Sequence, residues 1–463
     1  MHDFDMIVIG SGPSGRRAAV QAAKLRKSVL VVEKGRRVGG VSVHTGTIPS
    51  KTLRETVLNL SGWRERGFYG RSYRVKQDIH ADDLLARLRK TLDHEVEVLE
   101  HQFSRNGVRT AMGSARFVGP HEIEVAQESG ERRIYSAAHV LIACGTQPFR
   151  PDHVPFDGVS VFDSDEIIDL PDLPRSLTVI GAGVIGVEYA TIFSALDVKV
   201  TLVEPRARFL DFIDKELIDE FVHDLRDRNL ALRLGSAVTS IALEDGRPVT
   251  RLADGRRVAT DMLLFAAGRV GATEALNLEA AGVAFDHRGR IAVSPHTLQT
   301  AVPHIYAAGD VIGFPSLAST SMEQGRVAAC HAFGLAPPPP PEFFPYGIYS
   351  VPEISTVGMT EEEVRQRQIP YECGVARFRE TSRGHIMGLN AGMMKMIFST
   401  QTRRLLGVHI VGEGATELIH IGQAVLNLKG TIDYFIENTF NYPTLAEAYK
   451  IAGLDAWNRM ARP

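Results

Sequence analysis

The feature that most constrains this chain is a pattern that occurs twice. A short apolar strand runs into residues 10–15, which read Gly-x-Gly-x-x-Gly, and an alanine-rich helical stretch and a second apolar strand ending at Glu33 follow. Residues 181–186 repeat the glycine pattern in the same strand–turn–helix–strand order, which there ends at Glu204. In each copy the glutamate lies 23 residues after the first glycine. One glycine pattern alone is weak evidence, but two copies in full context predict two Rossmann-type domains.

The glycines of such a turn have separate physical roles. The first permits the tight turn, the second lets the backbone approach a pyrophosphate, and the third allows the helix to pack closely. The helix N-terminus offers free N–H groups and a positive dipole end to the phosphates, while Glu33 and Glu204 can accept hydrogen bonds from ribose hydroxyls. Two such units predict two dinucleotides that meet face to face. The candidate binding residues in the two turns are Gly10, Ser11, Gly12, Pro13, Ser14 and Gly15, and Gly181, Gly183, Val184, Ile185 and Gly186.

Composition and charge narrow the class of protein. A length of 463 residues suggests about three domains, and a net charge of −3 argues against a nucleic-acid or anionic-membrane partner. Cys144, Cys330 and Cys373 show neither metal-ligand nor redox spacing, so we expect no metal site and a reducing compartment. No signal peptide fits before the first strand at Asp5, and no apolar stretch approaches the ~18 residues of a membrane span. We therefore expect a soluble, cytoplasmic protein.

Further landmarks divide the chain. Apolar runs at 140–148, 262–269 and 305–310 each end in a glycine turn, and the last of them closes on Asp310. The proline run 337–341 predicts an extended linker, with a ligand for a proline-binding partner as the alternative. Beyond it, strands predicted at 393–399 and 405–411 and helices predicted at 416–428 and 445–460 form a separate α+β domain.

The predicted fold class is α/β, with two Rossmann-type dinucleotide-binding domains and a C-terminal α+β domain. The predicted boundaries place the first domain at 1–147 and 269–340, the second at 148–268, and the C-terminal domain at 341–463.

In this order, the landmarks resemble the pyridine nucleotide-disulfide reductases, a family of two-dinucleotide-binding-domain flavoproteins, over essentially the entire chain. The resemblance implies that the first Rossmann-type domain binds FAD, that the second binds NAD(P)H, and that the C-terminal domain forms a homodimer or larger homo-oligomer. It also implies that Asp310 binds the FAD ribityl chain and Glu33 the adenosine ribose. Further positions that match cofactor-binding residues of the family are Lys34, Gly40, Val41, Gly46, Thr47, Lys51, Ala115, Cys144, Gly145, Gly268, Arg269, Gly309 and Ala318.

Segment 39–51 matches the active-site helix of that family but contains no cysteine. Ser42 and Thr47 occupy the positions of the two redox cysteines. A hydroxyl can form neither a disulfide nor a thiolate, so a dithiol relay is chemically impossible. The family's histidine before a proline near the C-terminus is Tyr442 here, whereas the glutamate five residues later remains as Glu447. Because cysteines and base are lost together, we predict a different reaction.

Within the family, segment 46–51 and the ending at 440–449 look most like the soluble pyridine nucleotide transhydrogenases. That branch usually has a cysteine at the position that Ser42 occupies in this chain. This likeness implies FAD-dependent, ping-pong hydride exchange between NADPH and NAD, with NAD and NADP as substrates. Two alternatives stay open. One is an NAD(P)H oxidase or diaphorase that reduces oxygen or a quinone, and the other is a flavoprotein sensor without catalysis. The sequence does not fix the physiological direction.

The resemblance also suggests how the reaction is assisted. It places the Lys51 ammonium near flavin N5 and pairs it with Glu188, which favours negative charge on the reduced ring. The helix predicted to begin at Ala318 would direct its N-terminus at the flavin pyrimidine edge. His44, beside the missing relay, is interpreted as a packing residue or a neighbour of the flavin, because no partner acid is evident locally. The catalytic residues implied by the resemblance are Lys51, Glu188, Tyr442 and Glu447.

The residues around Glu204 bear on the choice between NAD and NADP. A carboxylate there suits the free 2′-hydroxyl of NAD and repels the 2′-phosphate of NADP by up to ~4 kcal/mol. Arg206 and Arg208 follow at once, and either guanidinium can bind that phosphate. The alternative is that both arginines simply face solvent. A ribose acceptor next to phosphate donors predicts that both nicotinamide cofactors bind here in turn.

Overall fold

The structure is a computed structural model that describes residues 2–228, 230–336 and 342–460. Each of its two compact units contains one copy of the repeated glycine pattern. The first unit comprises Met1–Thr52, Leu85–Phe149 and Gly268–Pro340, and the second comprises Leu53–Leu84, Arg150–Ala267 and Pro341–Pro463. The predicted linker 337–341 lies outside the described residues, and the predicted domain boundaries stay predictions.

Strands and helices alternate through most of the chain. The strands are β1 (Phe4–Ile9), β2 (Val29–Glu33), β3 (Arg109–Met112), β4 (Ser114–Gly119), β5 (Glu122–Ala126), β6 (Arg132–Ile142), β7 (Thr146–Pro148), β8 (Val161–Asp163), β9 (Ser176–Ile180), β10 (Lys199–Glu204), β11 (Ala231–Leu234), β12 (Val238–Glu244), β13 (Arg247–Leu252), β14 (Arg257–Ala259), β15 (Met262–Phe265), β16 (Arg269–Gly271), β17 (Ile305–Ala307), β18 (Tyr346–Ile348), β19 (Ile354–Gly358), β20 (Tyr371–Arg377), β21 (Met393–Ser399) and β22 (Leu405–Val411). The α-helices are α1 (Pro13–Lys24), α2 (Gly40–His44), α3 (Thr47–Leu60), α4 (Arg66–Tyr69), α5 (Ala81–Arg105), α6 (Val184–Ala195), α7 (Lys215–Asp227), α8 (Ala318–Ala332), α9 (Glu361–Gln366), α10 (Ser382–Met387), α11 (Ala415–Asn427), α12 (Asp433–Glu437) and α13 (Glu447–Met460).

The first unit is built on a sheet in the order β3-β2-β1-β6-β5-β4, to which β17 adds by pairing with β6. The pairs around β1 are parallel, whereas β4, β5 and β6 form an antiparallel extension. Alternate residues of β1 enter two cores: Met6 and Val8 pack among residues of α1 and α8, while Ile7 and Ile9 pack with the β4–β5 side. Burial on both faces explains why this strand is apolar at every position after Asp5.

The second unit contains a parallel sheet in the order β11-β10-β9-β15-β8 and a separate antiparallel sheet of β12, β13 and β14. Helix α6 follows the second glycine turn and is buried on nearly every side, as expected for a helix that is apolar around most of its surface. The few polar residues that it contains, including Glu188, are buried as well. Helix α7 is capped by Asp214, whose side chain accepts a 3.1 Å hydrogen bond from the Glu216 N–H.

The C-terminal part of the second unit is an antiparallel sheet in the order β18-β19-β22-β21-β20. Its core contains Phe398, Phe435 and Tyr449, together with apolar residues of α11 and α13. Every residue of β21 is buried, including one lysine. This part therefore has its own core, as expected for an α+β layer.

The predicted fold class is confirmed, because two parallel Rossmann-type sheets and a C-terminal α+β part are present. The strands predicted at 393–399 and 405–411 match β21 and β22. The helix predicted at 416–428 spans Ala415–Asn427, and the one predicted at 445–460 begins at Glu447. Within the part of the chain that the structure describes, no helix is both long and apolar enough to cross a membrane.

Candidate dinucleotide-binding sites

The first glycine turn has the geometry that its sequence predicts. Gly10 has a φ of +102°, and a Cβ there would collide with the carbonyl oxygen of Ala143. A Cβ on Gly15 would collide with the carbonyl oxygen of Gly10, whereas one on Gly12 would meet nothing within 4 Å. The first and third glycines are thus required by the protein itself, and the second leaves space in front of the backbone.

The second turn repeats this geometry. Gly181 has a φ of +98°, and a Cβ there would lie 2.7 Å from the carbonyl oxygen of Ala266. A Cβ on Gly186 would collide with the carbonyl oxygen of Gly181, and one on Gly183 would again meet nothing within 4 Å. In both units, therefore, the first and third glycines avoid a collision with a carbonyl oxygen, and the second leaves open space.

Both turns fit a dinucleotide pyrophosphate. Helix α1 begins with Pro13 and Ser14, and α6 begins with Val184 and Ile185. Among the described residues, no side chain caps either helix, and the uncapped end of a helix leaves its first N–H groups available to a ligand. Uncapped N–H groups and a positive helix end are what a phosphate requires.

The acid of the first unit is tied into its own turn. Glu33 is 7% exposed, and its Oε2 accepts hydrogen bonds from the Ser11 N–H at 3.0 Å and from the Ser11 hydroxyl. Its Oε1 accepts from the Gly35 N–H at 2.8 Å, and the Ser11 Oγ in turn accepts from the Gly39 N–H at 2.7 Å. The neighbouring Lys34 is exposed. The Glu33 carboxylate is thus held rigidly, with acceptor capacity remaining on Oε1.

The acid of the second unit has a different environment. Glu204 Oε2 accepts a hydrogen bond from the Ala182 N–H at 2.9 Å, while Oε1 accepts from the Arg206 N–H at 3.2 Å and from Arg206 Nε at 2.7 Å. Arg206 is about half exposed and also reaches Asp211 at 3.4 Å, and Arg208 is exposed. Burial opposes ionisation of Glu204, but the hydrogen bonds from Arg206 and Ala182 outweigh it and keep its pKa below the ordinary value.

The turn after β17 packs against the first glycine turn. Gly309 has a φ of +86°, and a Cβ there would lie 2.6 Å from Ser14 Oγ. The Gly309 N–H donates to Gln324 Oε1 at 2.9 Å. Burial raises the pKa of Asp310, opposed by the charge of Arg269 and a hydrogen bond with Ser321.

Ser321 and Gln324 lie on α8, which begins at Ala318 as predicted. Sequence reasoning did not single these two residues out. Their spacing of three on the predicted helix, directly after the Gly309 turn, is the signal that could have identified them.

Segment 39–51 folds into α2 and the start of α3. Gly40 has a φ of +61°, and a Cβ there would lie 2.9 Å from the Gly12 Cα, so the segment lies directly over the first turn. The Ser42 hydroxyl donates to the Gly39 carbonyl at 3.2 Å, and His44 Nε2 contacts the Val38 carbonyl at 3.0 Å. These side chains have local structural bonds. The remaining predicted residues here are Val41, partly exposed, Gly46, which donates to the Val41 carbonyl, and Thr47, which begins α3.

Lys51 and Glu188 lie in different compact units. Lys51 is half-buried on α3, and its Nζ donates to the Ser50 hydroxyl at 3.3 Å. Glu188 is 3% exposed on α6, and its Oε1 accepts from the Tyr349 N–H at 2.9 Å. The predicted pairing of Lys51 with Glu188 stays a prediction.

The C-terminal candidates are Tyr442, which lies shortly before α13, and Glu447, which begins it. Tyr442 is 69% exposed, and its hydroxyl shares a 2.5 Å hydrogen bond with the Ser382 hydroxyl, a contact that the sequence did not reveal. Glu447 is the first residue of α13, and its Oε2 is buried without a hydrogen-bond partner among the described residues. A buried carboxylate oxygen without a hydrogen-bond partner is unusual in a folded protein, and a donor from another molecule would be expected next to it.

The other predicted positions belong to turns and strand ends of the first unit. Arg269 donates from Nε and Nη2 to the side chain and carbonyl of Thr146, each at 2.9 Å. Burial raises the pKa of the Cys144 thiol to about 12, so this cysteine is not a thiolate at neutral pH. Ala115 is buried on β4, and Gly145 and Gly268 have φ values of +67° and +118°. The described residues contain no group of three or more potential ligands arranged to hold a metal ion.

The chain is similar to known proteins over nearly its whole length. A family model described as pyridine nucleotide-disulphide oxidoreductase matches residues 4–325, and the dimerisation domain of that family matches residues 344–452. A soluble pyridine nucleotide transhydrogenase of Mycobacterium tuberculosis (strain ATCC 25177 / H37Ra) is 50% identical over 461 residues, which cover 99% of this chain and 98% of the relative. A protein of the same name from Colwellia psychrerythraea is 40% identical over 462 residues, or 99% of each chain.

Two solved structures extend this likeness to the fold. The crystal structure of LpdA from Mycobacterium tuberculosis matches with a TM-score of 0.89 and 25% identity, covering 97% of this chain and 99% of that one. The HOCl-induced flavoprotein disulfide reductase RclA from Escherichia coli matches with a TM-score of 0.87, 25% identity and the same coverage.

Proposed function

Because the chain belongs to the pyridine nucleotide-disulphide oxidoreductase family, we propose that it is a transhydrogenase that exchanges hydride between NADPH and NAD. One observation carries the proposal. Segment 39–51 lies over the first glycine turn, where the family's dithiol is expected, yet it presents only the hydroxyls of Ser42 and Thr47. A chain that retains both dinucleotide turns but no dithiol is suited to hydride exchange and not to disulfide reduction.

FAD is the proposed resident cofactor of the first unit. The N–H groups behind Gly12 would hold its pyrophosphate, Glu33 its adenosine ribose and Asp310 its ribityl chain. When bound, FAD would supply a ring that accepts a hydride from one nicotinamide and returns it to another. The rigid hydrogen bonding of Glu33 supports this assignment, because a cofactor that stays bound needs no movable groups.

NAD and NADP are proposed to occupy the second unit in turn. The N–H groups behind Gly183 would hold either pyrophosphate. Oε2 of Glu204 can accept from the 2′-hydroxyl of NAD. For NADP, Arg206 would have to leave Glu204 and turn to the 2′-phosphate, joined by the exposed Arg208. A first product that leaves before the second substrate binds makes the kinetics ping-pong.

Four residues are proposed to assist the reaction. Lys51, paired with Glu188, would provide positive charge beside the ring that receives the hydride, which favours an anionic reduced form. The dimerisation domain indicates that the chain forms a homo-oligomer, and the exposed Tyr442 and the unpartnered Oε2 of Glu447 would complete the site of a neighbouring subunit. The proposed location is the cytoplasm, because the cysteines of the described chain are unpaired.

The test is anaerobic stopped-flow absorbance of the purified flavoprotein. NADPH should bleach the flavin rapidly, and excess NAD should restore its absorbance while NADH appears. Bleaching that oxygen or a quinone reverses, but NAD does not, would instead identify an oxidase or diaphorase. A flavin that NADPH does not bleach would leave the sensor alternative.

A further inference from the structure

A buried lysine stands out in the second unit. Lys395 lies in the middle of β21, a strand whose residues are all buried, and its side chain is 1% exposed. A lysine is almost never fully buried unless it is paired. Its environment therefore needs a specific explanation.

Three carboxylates surround the Lys395 ammonium. Its Nζ lies 3.0 Å from Asp214 Oδ1, 3.0 Å from Glu216 Oε2 and 2.5 Å from Glu361 Oε2. Asp214 is completely buried, whereas Glu216 and Glu361 are partly exposed. These residues come from the start of α7, the start of α9 and the sheet, so one ammonium joins three elements. We call this group the Lys395 cluster.

The carboxylates of the Lys395 cluster accept further hydrogen bonds besides those from the lysine. Asp214 also accepts from the Glu216 N–H at 3.1 Å and from the Glu361 N–H at 3.1 Å, and Glu361 accepts from the Tyr371 hydroxyl at 2.7 Å. His409 is buried next to Lys395 in the strand register, and burial lowers its pKa and thus keeps it neutral. Lys395 is therefore the buried positive charge that balances Asp214.

Asp214 directly follows the segment that carries the candidate phosphate ligands. Segment 205–213 starts directly after Glu204 and contains Arg206 and Arg208, both exposed. Its apolar residues Phe209, Leu210 and Ile213 are buried, with 1%, 2% and 1% exposure. The segment is thus anchored at β10, along its apolar side, and at Asp214.

Stability alone does not account for the cluster. Removing charges from water costs several kcal/mol per ion, and buried ion pairs can often be replaced by apolar groups without loss of stability. A buried ion cluster does, however, permit only one arrangement of its members, since a shifted carboxylate would leave a charge unpaired. The arrangement fixed here is the end of segment 205–213 relative to β21.

We propose that Lys395 is a positioning residue for nicotinamide nucleotide selection, acting through Asp214 on the segment that carries Arg206 and Arg208. This inference rests on the proposed function, in which those arginines bind the 2′-phosphate. The C-terminal sheet then determines where the guanidinium groups stand. Binding of NADP depends on the Lys395 cluster, while binding of NAD, which relies on Glu204 within β10, depends on it much less.

The test compares two variants of the full-length protein. Lys395→Met removes the ammonium and keeps an unbranched chain. The second variant combines Lys395→Met with Asp214→Asn and Glu361→Gln. It removes the two more buried opposing charges, leaves the half-exposed Glu216, and keeps a capping oxygen at position 214. The readouts are KM and kcat for NADPH and NADH, and the dissociation constants of adenosine 2′,5′-bisphosphate and AMP.

We expect the ratio of the NADPH KM to the NADH KM to rise about tenfold in each folded variant, as for one misplaced charge-assisted hydrogen bond. The bisphosphate should weaken by a similar factor, AMP by less than about twofold, and kcat should change little. A purely structural role would lower the melting temperature and leave these ratios at the wild-type value.

The matched control is Arg377→Met. Arg377 on β20 pairs with Glu220 of α7 at 3.3 Å, so it also joins this helix to the C-terminal sheet, but farther from segment 205–213. Equal nucleotide ratios in the control and the triple variant would overturn the proposal. If wild-type protein binds both nucleotides but exchanges no hydride, the proposed function fails, while the binding constants still test the role of Lys395.

Discussion

The two glycine turns share three glycines and differ in the side chain that faces the glutamate at the strand end. In both, the first and third glycines avoid collisions with carbonyl oxygens, and the second faces open space. The residue after the first glycine is Ser11 in one copy and Ala182 in the other. The Ser11 hydroxyl bonds to Glu33 and accepts from the Gly39 N–H, whereas Ala182 offers Glu204 only its N–H.

This difference shows what a repeated motif leaves undetermined. The glycines fix where a pyrophosphate can lie, but the next residue decides how firmly the acid at the strand end is held. The first acid is bonded to backbone and a buried hydroxyl, while the second shares one oxygen with the half-exposed Arg206. A rigid acid suits a resident cofactor, and an exposed arginine suits a ligand that is exchanged.

The largest effects on stability and binding are expected from substitutions of the glycines. They should show that the third glycine of each turn is needed for folding and the second for binding. Gly15→Ala and Gly186→Ala each place a Cβ against a carbonyl oxygen and should destabilise the protein by ~3 kcal/mol or more. Gly12→Ala and Gly183→Ala should fold nearly normally, because their Cβ meets no protein atom. Gly12→Ala should instead weaken binding of the proposed FAD, and Gly183→Ala binding of the proposed NAD and NADP. Thermal unfolding and bound-flavin content distinguish these outcomes. Equal melting temperatures for Gly12→Ala and Gly15→Ala would contradict the assigned roles.

Exchange of the residue after the first glycine tests the comparison directly. Ser11→Ala removes two hydrogen bonds around Glu33 and should cost about 1–3 kcal/mol, measured by thermal unfolding and by flavin loss on dialysis. Ser28→Ala, at the other end of the same sheet, serves as a control for loss of a hydroxyl. Flavin retention unchanged in Ser11→Ala but reduced in Ser28→Ala would reverse the interpretation.

The contact between Glu204 and Arg206 in the second unit can be removed by mutation. Arg206→Ala combined with Arg208→Ala should raise the NADPH KM about tenfold, because a charge-assisted contact to the 2′-phosphate is lost, and should leave the NADH KM nearly unchanged. Arg251→Ala, an exposed arginine of the same unit paired with Glu244, is the control. An unchanged NADPH preference in the double variant would remove both arginines from the phosphate site.

The smallest expected effect is a pH dependence of stability. The pKa of Glu204 is lowered in the folded protein, so its ionisation adds stability above the unfolded pKa of about 4.3, and this stability is lost as the pH falls. Arg206→Ala should raise that pKa because the side-chain hydrogen bond and the charge that oppose burial are lost, while the backbone hydrogen bonds remain. The loss of stability should then begin at a higher pH. The change should stay below about 1 kcal/mol, since Arg206 is largely solvated. Melting temperatures of both proteins from pH 3.5 to 7 measure it.

Local patterns in the sequence predicted much of this protein. The glycine turns, the strands at 393–399 and 405–411, and the helix that begins at Ala318 follow from residues close together in the chain. The pairing of Glu204 with Arg206, two residues apart, is also local. The absence of a dithiol could be read from segment 39–51 directly, because side-chain chemistry does not depend on the fold.

Contacts between distant residues could not be predicted in this way. Lys395 lies within a strand that the sequence predicts, but its neighbours in the chain do not reveal that it is paired, and its partner Asp214 is 181 residues away. Ser382 and Tyr442 are separated by 60 residues. The sequence by itself determined the type of each unit and the chemistry excluded from it. Only the tertiary structure decided which charges are buried together, because the cost of burying a charge depends on partners that the folded chain alone brings within hydrogen-bonding distance.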